Sequence, residues 1–349
     1  MPKSREVTWS TDPVREQAML QHRYRINPGA LPIDQTKAEL EKVLPQLGYI
    51  TFSQSHFNYR MAEGFNIRYV QLGERYDIFA VTVSTQQEGY NGEFIMVVSQ
   101  GGEQRDKELM SDYRNLNRIH TGLAEARLPI FVPKPFIAND GSGFFPSNLP
   151  CFSVEYLKDH AELNSRNLLE IASSSNPYAY FIMHSHNLDF DSDDFSSMQQ
   201  IRKDYLLEAI KNLPEGDPNI GYEIGNSLHY RTARRIKEEL ASRLFLVYQV
   251  LSAAPKDLLI NAGDFMANPN APAFDLKLTT LRGGLVELPD QEAFRDWALK
   301  HREHRTSYAT SEVTEYPLFD NNPLIIDRGI KLARELIRKG RSHILGLIV

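Results

Sequence analysis

The positions of apolar residues divide the chain into a strand-rich part and a helix-rich part. Between residues 66 and 100, three segments rich in β-branched and aromatic residues (NIRYVQLG, YDIFAVTVS and GEFIMVVSQ) are separated by turn-forming stretches. This pattern predicts an antiparallel meander of three strands. The segment 103–123 then repeats apolar residues at helical spacing, and IFVPKPFIAND and LPCFSVEYLKD each contain a short apolar strand. Residues 66–158 are therefore predicted to run strand, strand, strand, helix, strand, strand.

The rest of the chain is predicted to be mainly helical. The segment 231–254 places Ile236, Leu240, Leu244, Val247 and Leu251 in one stripe, and KAELEKVLPQLGY (37–49) has a similar spacing. EAFRDWALKHREHR and IIDRGIKLARELIRKG are two further predicted helices. Between them and 231–254, KDLLINAG predicts a short buried strand or turn, and FDLKLTT–LRGG–LVELPD predicts a hairpin that turns at its two glycines. We expect an N-terminal extension over 1–52, a sheet-based lobe over 53–157 and a helical lobe over 158–349.

Composition and charge exclude several classes of function. The 349 residues carry a net charge of −6, so no basic excess points to nucleic acid or to anionic lipid. No apolar run approaches the length of a membrane span, and MPKSREVTWSTDPVREQ lacks the apolar stretch of a signal peptide. A single cysteine, Cys151, rules out an internal disulfide and fits a reducing compartment. We expect a cytoplasmic protein in which Cys151 is buried and inert.

One segment carries the residue types of phosphoryl-transfer chemistry. LLINAGDFMANPNAPAFDL (258–276) combines an apolar run, a small-residue turn, two carboxylates and two asparagines. The same residues also form turns readily, and Asn-Pro-Asn is a strong turn signal by itself. Both interpretations remain open from the residues alone.

The order of elements resembles the protein-kinase-like fold, and the local sequences resemble the aminoglycoside phosphotransferase family. DYRNLNRIH followed by FVPKPFI is similar to the helix–strand passage of that family, FSVEYLKD to its inter-lobe hinge, and LLINAGDFMANPN to its catalytic loop. The resemblance covers residues 66–300. It implies an α+β, two-lobed fold with a five-stranded antiparallel N-lobe that holds one helix, and a mainly helical C-lobe with a catalytic-loop-like segment over 258–290.

The resemblance also implies a site for ATP and Mg²⁺, with the nucleotide held between the two lobes. Hinge backbone groups around Glu155, Tyr156 and Leu157 are expected to take the adenine edge, and the turn at Gly73 to cover the phosphates. Asp264 is expected to accept or orient the substrate hydroxyl. The metal is expected to be held by an asparagine and a second aspartate. The candidate metal residues are Asn268, Asn270, Asp275 and Asp290.

The catalytic-loop segment departs from the family pattern at several positions. The histidine that precedes the catalytic aspartate is replaced by Ala262, and the register position of the metal-binding asparagine holds Pro269. Asp275 follows Asp264 too closely to leave room for the usual intervening hairpin. If FDLKLTT–LRGG–LVELPD is that hairpin, Asp290 takes the second metal role. Asp275 is the better local match and Asp290 the better topological one.

The predicted N-lobe departs from the pattern as well. The lysine expected on its third strand is replaced by Val97 or Val98, which leaves Lys107 on the following helix as a possible substitute. The acidic partner of that lysine is best matched by Asp112, or by Glu108 one turn earlier. The turn QLGERYD has one glycine, so Arg68 or Arg75 would have to supply positive charge near the phosphates.

Two functions from different classes therefore stand nearly level. The first is a phosphotransferase with a degenerate site, acting on a hydroxyl of a small molecule or a peptide. The second is a pseudokinase that binds a nucleotide, a partner protein or both without catalysis. An unrelated α+β protein with the same strand order is the third.

Two other clusters, a possible metal site at 184–197 and a possible anion contact at 301–305, have simpler explanations. HSHNLDFDSDDFSS (184–197) has the alternating aspartates of a calcium loop but lacks its glycine and terminal glutamate, which favours a solvated acidic loop. HREHR places His301 and His304 on one face of a predicted helix, where a charged, solvent-facing surface is the expected arrangement.

Overall fold

The chain has a mixed α+β architecture in a computed structural model that describes residues 6–10, 12–56, 62–72, 76–85, 92–157, 160–162, 237–257, 265–268, 275–279, 282–306 and 313–345. The described residues divide into two compact units. The first takes the described parts of Met1–Gly122, Val132–Lys158 and Leu281–Leu285. The second takes those of Leu123–Phe131, Asp159–Thr280 and Val286–Val349.

A mixed sheet of six strands organises the first unit, where five antiparallel strands were expected. The predicted meander is confirmed as β2 (Ala62–Leu72), β3 (Tyr76–Thr85) and β4 (Gly92–Ser99), and the two later strands as β5 (Pro135–Asn139) and β6 (Cys151–Glu155). The sixth strand is β1 (Glu6–Ser10), which pairs in parallel with β2. The order across the sheet is β1-β2-β3-β4-β6-β5.

Three helices pack with this sheet, and three more are described in the second unit. The predicted helix 37–49 is longer than expected, and the predicted helix 103–123 is confirmed with a small extension. The stripe within 231–254 is helical over its described part. The described helices are α1 (Pro13–Ile26), α2 (Ile33–His56), α3 (Glu103–Glu125), α4 (237–251), α5 (Gln291–Lys300) and α6 (Pro323–Leu345).

One face of the six-stranded sheet, the α2 face, is covered by α1 and α2. Alternate residues of the strands point to this face, and they meet an apolar stripe from α2. Burying such side chains contributes about 1.5–3 kcal/mol each to folding. The residues at the centre of this core are Leu40, Val43, Leu44, Leu47, Phe65, Ile67, Phe79, Val81, Phe94, Met96 and Val98.

A buried ion pair joins α1 to the α2 face. Arg23 Nε donates to Asp77 Oδ1 at 2.9 Å, Arg23 Nη2 donates to Asp77 Oδ2 at 2.8 Å, and both side chains are fully buried. Arg23 Nη1 donates to the carbonyl oxygen of Leu31 at 2.7 Å, and Gln100 Nε2 donates to Asp77 Oδ1 at 2.9 Å. Since the guanidinium and the carboxylate are both hydrogen-bonded on several sides, the desolvated charges are compensated within the protein.

The opposite face, the Arg68 face, carries the other alternate residues of the same strands. The helix α3 covers one end of it, where the Tyr113 and Phe152 rings lie 5.5 Å apart. At the same end Ser99 Oγ donates to Asp106 Oδ1 at 2.5 Å, which ties the end of β4 to the first turn of α3. The rest of the Arg68 face has half-buried residues on β2, β3 and β4.

The strands of the second unit correct two expectations. FDLKLTT–LRGG–LVELPD is not a hairpin, because β10 (Asp275–Leu278) pairs with β9 (Phe265–Asn268) and β11 (Arg282–Glu287) pairs with β8 (Ala253–Asp257). HREHR is not helical: α5 ends at Lys300, and β12 (Arg302–Thr306) pairs with β13 (Val313–Pro317). The short strand β7 (Ala161–Glu162) pairs with β9.

Candidate functional site

A nearly apolar row crosses the Arg68 face of the sheet. Strand register places Arg68 of β2 opposite Ala80 of β3, Ala80 opposite Ile95 of β4, and Ile95 opposite Val154 of β6. Ala80 and Val154 are buried, and Ile95 and Arg68 are half-buried. Because residues opposite each other on paired strands share a face, these four side chains form one continuous surface. We call Ala80, Ile95 and Val154 the platform.

The predicted hinge lies at the end of this row. The Glu155 backbone N–H donates to the Lys134 carbonyl oxygen at 2.9 Å, and the Lys134 N–H donates to Glu155 Oε2 at 3.0 Å. The Glu155 amide is therefore already used within the protein and is not offered to a ligand. Tyr156 is half-buried and Leu157 is buried.

Tyr156 meets a side chain that belongs to the far side of the row. Arg68 Nη2 donates to Tyr156 Oη at 2.7 Å, and the guanidinium carbon lies 5.5 Å from the centre of the tyrosine ring. The hydrogen bond and the cation–π contact act together. Arg68, one of the two arginines considered as a source of positive charge, is thus held at the hinge. Arg75 lies outside the described residues.

The position of the expected lysine offers no cation. Val97 lies on the Arg68 face and is 7% exposed, whereas Val98 belongs to the core on the α2 face. The substitute considered for it, Lys107, is 69% exposed and donates to Glu103 Oε1 at 2.5 Å on the outside of α3. The described part of this face therefore has no lysine at the position where the family pattern requires one.

The acidic residue expected to face that lysine has a different partner. Asp112 of α3 is buried, and its Oδ2 accepts a hydrogen bond from the Tyr76 hydroxyl at 3.0 Å. Glu108, the alternative one turn earlier, accepts from Gln104 Nε2 at 2.9 Å in an exposed pair. Asp112 thus lies on α3 and accepts from a tyrosine hydroxyl of β3, and its match to the family's helix carboxylate stays a prediction.

The described part of the predicted metal site is a pair of adjacent backbone positions. Asn268 ends β9 and Asp275 begins β10, and the two residues are Cα partners in the antiparallel ladder. An asparagine and an aspartate supply the oxygen ligands that Mg²⁺ prefers, and Mg²⁺ commonly takes only one or two protein ligands besides phosphate and water. These residue types fit the metal. Asp264, Asn270 and Gly73 lie outside the described residues.

Asp290, the other candidate for the second metal position, is occupied as a helix cap. Its Oδ1 accepts from the Ala293 backbone N–H at 2.8 Å at the start of α5. An N-cap carboxylate satisfies one of the free N–H groups at the helix start and interacts favourably with the helix dipole. The hairpin between β10 and β11 that favoured Asp290 does not form, and the metal role of Asp290 stays a prediction.

The remaining candidates are structural where they are described. Cys151 is buried in the core of the α2 face, and burial raises the pKa of its thiol to about 12, so the thiol stays protonated at neutral pH. His301 stacks on Trp297 with ring centres 4.7 Å apart just beyond the end of α5. The acidic segment 184–197 lies outside the described residues.

Tyr76 and the Arg68–Tyr156 contact are the parts of the site that the sequence did not predict. Tyr76 begins β3, and its partner on α3 is 36 residues away. Arg68 and Tyr156 are separated by 88 residues. Strand alternation is the one local signal available, since it places Arg68 on the face opposite Ile67 and Tyr69.

Within the ranges that the structure describes, no three His, Cys, Asp or Glu side chains gather as they would around a metal ion. None of the described helices combines the length and the apolar character that a bilayer span requires. The chain matches no protein-family model, and no curated protein matches it either.

Proposed function

We propose that this chain is a kinase-like, ATP- and Mg²⁺-dependent phosphotransferase-like protein with a degenerate active site, acting on a hydroxyl of a small molecule or a peptide. The observation that carries the proposal is the pairing of Asn268 with Asp275 in the β9–β10 ladder. The pairing follows directly on Asp264 in the sequence. Backbone positions that hold an asparagine and an aspartate are thereby paired within eleven residues of the candidate catalytic aspartate.

In this proposal each residue has a separate task. Asp264 orients the substrate hydroxyl and accepts its proton, while Asn268 and Asp275 hold the metal that neutralises the phosphate charge. Catalysis of this kind depends on positioning and electrostatics, so a site without the strand lysine is expected to be slow.

A second candidate function is a pseudokinase that binds a nucleotide or a partner protein without transferring phosphate. The observation that favours it is the pair of Tyr76 and Asp112. A neutral hydroxyl donates to the carboxylate that would face a lysine, and Val97 supplies no cation from β4.

Thermal unfolding with nucleotide tests what the two candidates share. A ligand at 100 times its Kd adds about 2.7 kcal/mol to the free energy of unfolding, which raises the midpoint by several degrees. We expect ATP with Mg²⁺ to raise the midpoint and EDTA to reduce the rise. An unchanged midpoint at millimolar ATP and Mg²⁺ would remove both nucleotide-dependent functions.

Three variants separate catalysis from binding. Asp264→Asn is expected to keep the ATP-dependent shift and lose phosphate transfer, and Asp275→Asn to lose the Mg²⁺ dependence of that shift. Asp290→Ser is the matched control, because serine also caps helices but brings no carboxylate. Nucleotide binding with no transfer by the wild-type protein would favour the pseudokinase. Equal Mg²⁺ dependence in Asp275→Asn and wild type would remove Asp275 from the site.

A further inference from the structure

We infer that Arg68 and Tyr156 form a latch that closes the platform, and that a planar aromatic ring binds there when the latch opens. In the proposed function this ring is the nucleobase, so the assignment of the ligand rests on that proposal. The latch itself rests only on the contacts and the strand order of the first unit.

The strand order shows that the contact crosses the sheet. Arg68 lies on β2 and Tyr156 follows β6, and β3 and β4 lie between these two strands. Neighbouring strands are about 4.8 Å apart, so about 14 Å of sheet separates the two backbones when it is measured along the sheet. Neither side chain covers that distance alone. Both must extend over the face, and they meet above the strands that carry Ala80 and Ile95.

The surface beneath the latch suits a flat, apolar group. The platform is apolar, and Ala80 on β3, which lies between Arg68 and Ile95, has the smallest side chain of the row. Ala80 is fully buried while the latch is closed, and its side chain projects least from the sheet toward a ring that binds when the latch opens. Arg68 and Tyr156 present a guanidinium plane and an aromatic ring to the same space, and both stack readily on planar groups.

The contacts between Arg68 and Tyr156 are few and weak enough to break. One hydrogen bond and one cation–π contact join the two side chains, and both side chains are half-buried. A single hydrogen bond contributes about 0.5–1.5 kcal/mol, which corresponds to a factor of about 2 to 13 in the closed-to-open ratio. Binding to a state that is populated only in part weakens the apparent affinity by that fraction. Removing the hydrogen bond therefore strengthens binding.

Tyr156→Phe tests the latch, because it removes the hydroxyl and keeps the ring. We expect this variant to bind ADP about 2- to 13-fold more tightly than wild type in calorimetric titration, and Arg68→Met to change affinity in the same direction. Tyr24→Phe is the matched control. It removes a hydrogen-bonded, partly exposed hydroxyl from α1 and is expected to leave ADP affinity unchanged.

A second probe keeps failure of the latch apart from failure of the nucleotide proposal. The dye 8-anilinonaphthalene-1-sulfonate carries a flat, aromatic naphthalene ring, and its fluorescence rises on apolar surface. Brighter dye in Tyr156→Phe and Arg68→Met, with no ADP binding by any variant, would support the latch and remove the nucleotide. Unchanged dye fluorescence and unchanged ADP affinity would overturn the latch. Weaker ADP binding by both variants would overturn it too, since the two side chains would then be ligand contacts.

Discussion

An arginine lies at each face of the six-stranded sheet, Arg23 from α1 and Arg68 from β2, and the two side chains are held in different ways. Arg23, on the α2 face, is fully buried and bound by Asp77 through two nitrogens and by the Leu31 carbonyl through a third. Arg68, on the opposite face, is half-buried and, among the described residues, makes one hydrogen bond, to Tyr156. A buried guanidinium whose nitrogens are all hydrogen-bonded holds the elements that it joins in place. An accessible guanidinium with one described partner can exchange that partner for a ligand.

This difference indicates that the α2 face stabilises the unit, whereas the Arg68 face is the surface available for binding. The α2 face joins α1, α2 and the sheet into one core, so the N-terminal residues are part of the unit's packing. Among the described helices, α3 covers one end of the Arg68 face, through the pairs Tyr76–Asp112 and Ser99–Asp106. Substitutions at the sealed contacts are expected to change unfolding, and substitutions at the latch are expected to change binding.

The largest effect is expected for Arg23→Met. The substitution leaves the Asp77 carboxylate buried without its cation, which costs about 3–5 kcal/mol in comparable buried pairs. Urea unfolding followed by circular dichroism measures the loss. Arg25→Met is the matched control, because Arg25 lies in the same last turn of α1 and is exposed. Its effect is expected to stay within about 0.5 kcal/mol.

The double variant Arg23→Met with Asp77→Leu sharpens this prediction. Removing both partners leaves no unpaired buried charge, so the double variant is expected to be more stable than Arg23→Met alone. If Arg23→Met unfolds at the same urea concentration as Arg25→Met, the ion pair does not hold α1 to the sheet.

A smaller effect is expected for Tyr76→Phe at the sealed end of the Arg68 face. The change removes the hydroxyl that donates to the buried Asp112 carboxylate, at a cost of about 1–3 kcal/mol. Tyr156→Phe makes the same chemical change at the accessible end of that face. It is expected to alter the free energy of unfolding by less than Tyr76→Phe does. Equal losses in chemical denaturation would contradict the division of this face into a sealed end and a latch.

Gly101 and Gly102 offer a smaller and more local comparison on the α2 side. Both have positive φ angles, of 87° and 102°, so alanine is strained at either position. A Cβ at Gly101 would lie 2.6 Å from Leu31 Cγ, whereas a Cβ at Gly102 meets nothing within 4 Å. Leu31 also supplies the carbonyl that binds Arg23.

We therefore expect Gly101→Ala to cost about 1–3 kcal/mol more than Gly102→Ala, because of overpacking against Leu31. Both variants share the cost of backbone strain, so this cost cancels in the difference between their urea midpoints. Identical midpoints would mean that the loop after β4 moves away from Leu31 at no cost.

The elements with strong local patterns could be predicted, and those that depend on distant partners could not. The meander and α3 follow from strand alternation and helical spacing. β1 has only five residues, and its parallel partner lies more than fifty residues later. The expected turn at Gly283 and Gly284 is wrong because both residues lie within β11, although Gly-Gly is a frequent hairpin turn. HREHR gave no local signal against continuing a helix, although its partner β13 begins only seven residues after β12 ends.

The candidate site divides in the same way. The absence of the strand lysine and the helix carboxylate at Asp112 could be predicted because each depends on one position. The partner of that carboxylate, Tyr76, could not, since it is fixed by how β3 and α3 pack. Asp290 followed by an amphipathic segment was a recognisable N-cap signal. The expectation of a metal role for it came from a hairpin that does not form.

The smallest effect is expected from the pH dependence of stability, through His120. Burial, together with the nearby Lys134, lowers the pKa of His120 on α3 from its ordinary value of about 6.5, and Glu155 opposes the change. The folded protein therefore binds fewer protons at this site than the unfolded chain. The contribution of His120 to stability is complete above the unfolded pKa and falls as the pH drops below about 6.5.

His120→Gln is expected to reduce this fall, which is measured as the change in the urea midpoint between pH 7.5 and pH 5. His22→Gln, on an exposed part of α1, is the control and should leave the slope unchanged. An equal slope in His120→Gln and wild type would show that protonation of His120 is not coupled to folding.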